Sequence, residues 1–258
     1  MKLLALSHNN PCLCHALLES ALRSHTPHTP VVLYEADQEE AIQGYQLLQE
    51  RFKKPRWVAT SPQSFQQDLV AALQPADRRG NEYLVCLADD GIVFRKRLMS
   101  VNYQEALHDP NTACYSQRLS TIAVSLPLPD FHLTAFVKRH WRKWCWQTGE
   151  SDFGIPFGFD GSVYRAEQLA KLVTSLPAGT PNETESALAK SPFWKLCPSM
   201  ACGIEPTAIR LYNDNPAESL TAVYLSGHVL DLDPICKTVP EPAIATEFGF
   251  VQYEEECQ

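Results

Sequence analysis

The chain has 258 residues, of which 45% are hydrophobic and 20% charged, which is typical of one compact globular domain. Its formal net charge of −8 argues against a nucleic-acid-binding protein, because such proteins need a basic surface. No apolar run approaches the ~20 residues of a transmembrane helix. The N-terminal segment also lacks the apolar core of a secretory signal, so no membrane span and a cytoplasmic location are expected.

Regular alternation of strands and helices is predicted for the first third of the chain. The predicted strands are Leu3–Leu6, Val31–Tyr34, Trp57–Ala59 and Leu84–Leu87. Between them, three segments have helical spacing of apolar residues. The first begins at Asn10–Pro11, the second at Asp37 with a capping box to Glu40, and the third at Ser61–Pro62. This pattern predicts an α/β fold with an open, mainly parallel sheet flanked by helices.

The fourth predicted strand ends in two adjacent carboxylates. In the segment Tyr83–Phe94, YLVCLADDGIVF, an apolar run without alternation leads directly into Asp89 and Asp90. Such a run is typical of a strand buried on both faces, whose end opens into the ligand crevice of an α/β sheet. Adjacent carboxylates repel each other unless a cation or hydrogen-bond donors offset the charge. The pair therefore predicts a divalent-metal site that grips a nucleotide diphosphate, with a solvated Asp-Asp-Gly turn as the alternative.

The second half is less regular in sequence. Strands are predicted at Thr112–Tyr115 and Thr121–Leu126, around a loop, and at Val163–Tyr164, which leads into a helix. Further helices are predicted from Asn182 and from Asn215. Nineteen prolines, many of them in this half, favour ordered loops over a second regular domain. The whole chain, 1–258, is therefore interpreted as a single domain.

Aromatic and metal-ligating residues in this half each allow two interpretations. The cluster Trp141, Trp144 and Trp146 could stack on a sugar ring, but core packing is favoured for at least two of the three. His228 could complete a metal site or simply form a hydrogen bond. The nine cysteines do not have paired zinc-site spacing, so free thiols are expected.

Several common motifs are absent from the sequence. The dinucleotide fingerprint G-x-G-x-x-G, the phosphate-binding loop G-x-x-x-x-G-K-[ST] and the G-x-S-x-G elbow do not occur where their folds require them. These absences argue against dehydrogenases, P-loop enzymes and α/β-hydrolases.

An ordered set of short motifs resembles a bacterial glycosyltransferase family with the GT-A type of fold, over most of the chain. The motifs are Tyr83–Phe94, Tyr115–Ser120, Asp152–Pro156 with Phe159–Arg165, and Pro181–Glu185. Two positions depart from the family, which has histidine where this chain has Ser162 and a histidine-glutamate pair near Ala245–Glu247.

The resemblance implies transfer of a sugar from a nucleotide-diphosphate donor to a hydroxyl acceptor, such as a glycan or a lipid-linked glycan. Mg²⁺ or Mn²⁺ would neutralise the departing diphosphate. By this resemblance Asp90 binds the metal, and Asp89 binds the ribose or the metal. Residues 1–110 would form the nucleotide-binding half and 111–258 the acceptor side.

Candidate donor-binding residues follow from the same resemblance. Ser7, at the end of the first strand, and Asp37, after the second, would lie near the nucleotide. The alternative for Asp37 is that it is simply the N-cap of the second helix and does not contact the nucleotide. Arg118 and Arg165 could pair with diphosphate oxygens or form structural ion pairs.

A transferase that inverts the anomeric centre needs a carboxylate to accept the proton of the acceptor hydroxyl. Glu185 has the expected position, with Glu183 nearby, but Asn182 and Glu185 could instead form a capping box. Asp160 could contact the donor sugar or the acceptor, or could be a turn residue.

Two alternatives remain open. One is a catalytically silent nucleotide- or glycan-binding relative, which the missing histidines favour. The other is a nucleotidyltransferase, against which the absence of a basic, glycine-rich loop after the first strand argues.

Overall fold

A computed structural model describes residues 2–24, 29–74, 83–93, 102–121, 128–129, 131, 141–211, 217–237, 244–245 and 249–253. Within these ranges the strands are β1 Lys2–His8, β2 Val31–Glu35, β3 Arg56–Ala59, β4 Tyr83–Ala88, β5 Gly91–Val93, β6 Thr112–Ser120, β7 Trp141–Cys145, β8 Asp160–Arg165, β9 Ser199–Gly203, β10 Ala208–Leu211, β11 His228–Leu230, β12 Ile244–Ala245 and β13 Phe250–Gln252. The helices are α1 Pro11–Arg23, α2 Glu39–Arg51, α3 Phe65–Leu73, α4 Asn102–His108, α5 Ala166–Thr174, α6 Pro181–Ala189, α7 Ala217–Leu225 and α8 Leu232–Lys237. In the same part of the chain, no helix combines the length and apolar character needed to cross a bilayer.

Among the described residues, the main sheet has eight strands in the order β3-β2-β1-β4-β8-β6-β9-β7. The first four strands are mutually parallel. β8 is antiparallel to both of its neighbours, β9 is parallel to β6, and β7 is antiparallel to β9. Only β8 and β7 therefore run against the other six, and the predicted α/β class with a mainly parallel sheet is confirmed. The same topology connects β5, β10 and β12 into a small second sheet.

Helices cover both faces of the main sheet. On β4, Val85 and Leu87 pack in a core with α1 and α2, whereas Leu84 and Cys86 pack in a core with α3 and α5. Both faces are buried, which explains why β4 reads as an unbroken apolar run. The predicted strand at this position is confirmed.

The predicted helix starts have different outcomes. α1 begins as predicted, because the Asn10 side chain accepts a hydrogen bond from the Leu13 backbone and proline follows it. The capping box predicted at the start of α2 is wrong, because Gln38 is the N-cap and makes no side-chain cap bond. Asp37 instead accepts a 2.5 Å hydrogen bond from Asn9, and its own backbone donates to the Asn9 side chain. α3 starts later than predicted.

The second half supplies strands that the sequence indicates less clearly. β6 continues to Ser120 without the predicted loop, and the predicted strand at 121–126 lies almost entirely outside the described residues. Trp141 and Trp144 are buried in the core, so core packing of at least two tryptophans is confirmed. Seven cysteines of the described ranges are free thiols: Cys12, Cys14, Cys86, Cys114, Cys145, Cys197 and Cys202.

A bulge shapes the pairing of β8 with β4. The register shifts between Val85 and Leu87, so that Leu87 lies opposite Asp160. The extra residue is on the β8 side, where Gly161 has a φ of +96°, a conformation that favours glycine. A β-carbon at Gly161 would also contact Leu87 at 3.2 Å.

Candidate functional site

A cleft of about 230 Å³ lies at the carboxyl ends of β1 and β4. Parallel strands bring their carboxyl ends to the same edge of a sheet, and antiparallel β8 starts at that edge. The cleft is lined by Ser7 from β1, Asp89 and Asp90 after β4, Asp160 from β8 and Glu185 from α6. Five of the seven residues predicted for the site therefore come together, although they are up to 178 positions apart in the sequence.

Asp89 is held against the end of β1. It accepts hydrogen bonds from the Ser7 hydroxyl at 2.7 Å and from the His8 backbone at 3.2 Å. The pKa of Asp89 is raised to about 7: burial is the main cause, the charge of Asp90 adds to it, and the two hydrogen bonds oppose it. Asp89 thus holds its proton much more strongly than an exposed aspartate does.

Ser7 connects Asp89 to the protein interior. Its hydroxyl lies 2.5 Å from the Tyr45 hydroxyl, and that tyrosine also accepts a bond from the Asn10 backbone at 3.2 Å. Tyr45 is buried. A continuous polar chain therefore leads from the buried tyrosine to the carboxylate at the cleft and fixes its position.

Asp90 forms an ion pair with Arg210 that no sequence motif predicts. The Arg210 Nε donates to Asp90 Oδ2 at 2.5 Å. Arg210 is placed there by the backbone, because β10 pairs with β5 so that Arg210 lies opposite Gly91, and Leu211 donates to the Asp90 carbonyl at 2.7 Å. No local pattern could predict this contact, which joins residues 120 positions apart.

Asp160 is fixed by two donors. Arg118 contacts it at 3.0 and 3.2 Å, and Ser162, one of the positions where the family has histidine, donates to it at 2.9 Å. Arg118 also pairs with Asp152 at 2.8 Å and is buried. Arg118 does not contribute to the lining of the cleft, so it acts on Asp160 from behind, and its role in donor binding stays a prediction.

Glu185 faces the cleft and does not cap its helix. Its Oε1 accepts a 2.7 Å bond from the Phe159 backbone, and burial raises its pKa, with the nearby Asp160 charge adding to the shift. The capping box of α6 is formed by Thr180 and Glu183. The alternative capping pair of Asn182 and Glu185 is therefore wrong, and Glu183 is an exposed cap residue.

The remaining candidates lie away from the cleft. Asp37 is exposed and bonded to Asn9, and its contact with a nucleotide stays a prediction. Arg165 donates to the carbonyls of Leu107, Thr112 and Asp109, as a structural residue does. His228 bonds to Ser226 at 3.1 Å.

The cleft carries an excess of negative charge. In the described ranges, five carboxylates line it, Glu35 among them, against the single guanidinium of Arg210. Within the same part of the chain no group of three or more His, Cys, Asp or Glu residues is arranged to hold a metal ion. Mg²⁺ commonly takes only one or two carboxylates and completes its shell with water and substrate phosphates. The hard oxygens of Asp89 and Asp90 fit a metal that arrives with a phosphate ligand better than one held by the protein alone.

No protein-family model matches the sequence, and a search of curated proteins finds no match. Among solved structures, similar chains include S. aureus TarS 1-349, with a TM-score of 0.48 and 13% identity over 81% of this chain and 60% of that one. Another is a 4-diphosphocytidyl-2C-methyl-D-erythritol synthase from Anaerococcus prevotii, with a TM-score of 0.45 and 9% identity over 87% of this chain and 96% of that one. A UDP-glucose pyrophosphorylase complexed with UDP-glucose has a TM-score of 0.40 and 10% identity over 78% of this chain and 89% of that one. Likenesses at this level do not assign an activity.

Proposed function

We propose that the protein is a metal-assisted glycosyltransferase that moves a sugar from a nucleotide-diphosphate donor to a hydroxyl acceptor. The observation that supports this most is the convergence of Asp89, Asp90, Asp160 and Glu185 in one cleft at the carboxyl ends of parallel strands. The family resemblance of the motifs that carry these residues points to the same reaction.

In this proposal the acidic pair is the donor side of the site. Bound Mg²⁺ or Mn²⁺ would supply Lewis-acid stabilisation of the departing diphosphate. Asp90 would hold the metal ion through a carboxylate oxygen. Asp89 would bind either the same metal ion or the ribose of the donor. Ser7 would fix Asp89, as its 2.7 Å hydrogen bond already does.

Glu185 is proposed as the base. One oxygen is held by the Phe159 backbone, which orients the carboxylate, and its raised pKa brings it closer to the working range of a general base near neutral pH. Its place in the cleft puts it beside Asp160. Asp160, oriented by Arg118 and Ser162, would contact hydroxyls of the donor sugar or the acceptor.

Donor screening tests the proposal. Thermal unfolding would be followed with UDP-, GDP- and CMP-linked sugars, with and without Mn²⁺. At a ligand concentration of 100 times Kd, about 2.7 kcal/mol of stabilisation is expected, and it should require the metal. Release of free UDP or GDP from the corresponding donor, or of CMP from a CMP-linked sugar, would then establish turnover.

The two alternatives give different results in the same experiment. Stabilisation that needs no metal, without release of nucleoside diphosphate, would favour a silent binding relative. Release of pyrophosphate from a nucleoside triphosphate and a sugar phosphate would identify a nucleotidyltransferase. Absence of any stabilisation by all the donors would contradict the proposal.

A further inference from the structure

Arg210 contacts the cleft with only part of its guanidinium. Its Nε is bonded to Asp90 Oδ2 at 2.5 Å. Its two Nη groups have no hydrogen-bond partner among the residues that the structure describes, and the side chain is 60% exposed. The planar guanidinium fork suits phosphate oxygens, so this end of Arg210 is free to bind an anion that enters the cleft.

The same contact competes with a metal ion for Asp90. Asp90 Oδ2 is the oxygen that Arg210 occupies, and a divalent cation that takes this oxygen must displace Nε. The backbone of Arg210 is fixed by its pairing with Gly91, whereas its long, mostly exposed side chain can move. The bond to Asp90 can therefore break without loss of the β10–β5 pairing.

We propose that Arg210 alternates between two anions: it neutralises Asp90 while the cleft is empty, and it binds the donor diphosphate when the metal takes Asp90. This inference rests on the proposed function and adds a residue with two opposite effects. Arg210 lowers the affinity of the site for the metal alone and raises its affinity for a nucleoside diphosphate. A purely structural ion pair would not raise the affinity for a nucleoside diphosphate.

Arg210→Gln separates these effects. Mn²⁺ binding, measured by electron paramagnetic resonance without nucleotide, should become about two- to fivefold tighter, as expected for the removal of a largely exposed competing ion pair. Binding of UDP or GDP at saturating Mn²⁺, measured by calorimetry, should become about tenfold weaker, because a charge-assisted contact is lost. Arg210→Lys should keep Mn²⁺ binding near the wild-type value and recover only part of the nucleotide affinity, because lysine lacks the fork.

Arg23→Gln is the matched control. Arg23 is 50% exposed and paired with Asp233 at 3.1 Å, far from the cleft, so neither affinity should change. Weaker Mn²⁺ binding in Arg210→Gln, or unchanged nucleotide binding, would overturn the inference. If those results came with donor turnover by the wild type, only the inference would fail. If Arg210→Gln bound Mn²⁺ more tightly and nucleotide more weakly, but the wild type turned over no donor, the inference would stand and the proposed transfer reaction would fail. A wild type that binds neither Mn²⁺ nor nucleotide would overturn both.

Discussion

Two groups of buried ionisable residues differ in how their charge is balanced. The first is the cleft described above. The second, the His15 cluster, consists of His15, Glu19, Arg51, Tyr224 and Tyr253. His15 is 1% exposed and bonds to Glu19 at 3.0 Å and to the Tyr224 hydroxyl at 3.3 Å. Arg51 lies over the Tyr253 ring at 3.9 Å.

His15 has its hydrogen bonds inside the protein, although one buried Nη of Arg51 in the same cluster has no partner among the described residues. Each ring nitrogen of His15 has a partner, and aromatic rings fill the space around it. In the cleft, by contrast, five carboxylates of the described residues line open volume, and ion pairs with Arg210 and Arg118 balance only two of them. Buried ionisable residues are therefore not in themselves a sign of a ligand site. A surplus of one charge beside open space is a better one, because such a surplus is costly until a ligand offsets it.

The largest effect is expected for Glu185→Gln. If Glu185 is the base, the rate of donor turnover should fall about 10²- to 10⁴-fold, whereas nucleotide affinity should stay close to the wild-type value. Initial-rate kinetics of nucleoside diphosphate release would measure this. Thr180→Ala on the same helix is the control, since loss of that cap costs about 1 kcal/mol of folding stability and should leave the rate unchanged. Equal rates for wild type and Glu185→Gln would remove the base from the proposal.

Asp90→Asn tests the other side of the cleft. Residues one layer behind a metal ligand are worth about 10- to 100-fold in metal affinity, so loss of a ligand should weaken Mn²⁺-dependent nucleotide binding about 100-fold. Calorimetry with and without Mn²⁺ gives the number. Asp233→Asn removes a carboxylate that is likewise paired with an arginine, at 3.1 Å, and should have no effect. If Asp90→Asn bound nucleotide as tightly as the wild type in Mn²⁺, the cleft would be no different in kind from the His15 cluster.

A smaller effect is expected in the His15 cluster, through pH. Burial lowers the pKa of His15, although its hydrogen bond with Glu19 opposes the shift. Below about pH 6.5, His15 is protonated in the unfolded chain but not in the folded one. The free energy of unfolding therefore falls by at most about 1.4 kcal/mol for each pH unit that the pH is lowered. His15→Gln lacks this component, and its stability should fall less between pH 7.5 and 5.5. Urea unfolding at several pH values measures both proteins, and parallel curves would show that His15 takes up its proton in the folded state.

Sequence alone predicts the parts of this molecule that depend on local chemistry. The four parallel strands follow from apolar runs, and α1 follows from Asn10 and the proline after it. Asp89 and Asp90 are predicted as site residues because a strand end is where an α/β sheet binds ligands.

What the sequence missed depends on distant contacts. Asp37 does not cap α2 because Asn9, with a φ of 51°, takes its carboxylate. Arg210 was missed because its partner is reached only through the pairing of β10 with β5. Thr180, and not Asn182, is the N-cap of α6, so Glu185 is not used in a capping box and faces the cleft. In each case a competing partner decided the role of a side chain whose residue type allowed several.

The bulge at Gly161 determines the direction of a carboxylate. Side chains on a strand alternate between the two sides of a sheet, so one inserted residue reverses the side for every position that precedes it on that strand. Asp160 immediately precedes Gly161. Without the extra residue, the Asp160 carboxylate would point to the opposite face of the sheet, which is apolar. The cleft would then have one carboxylate fewer.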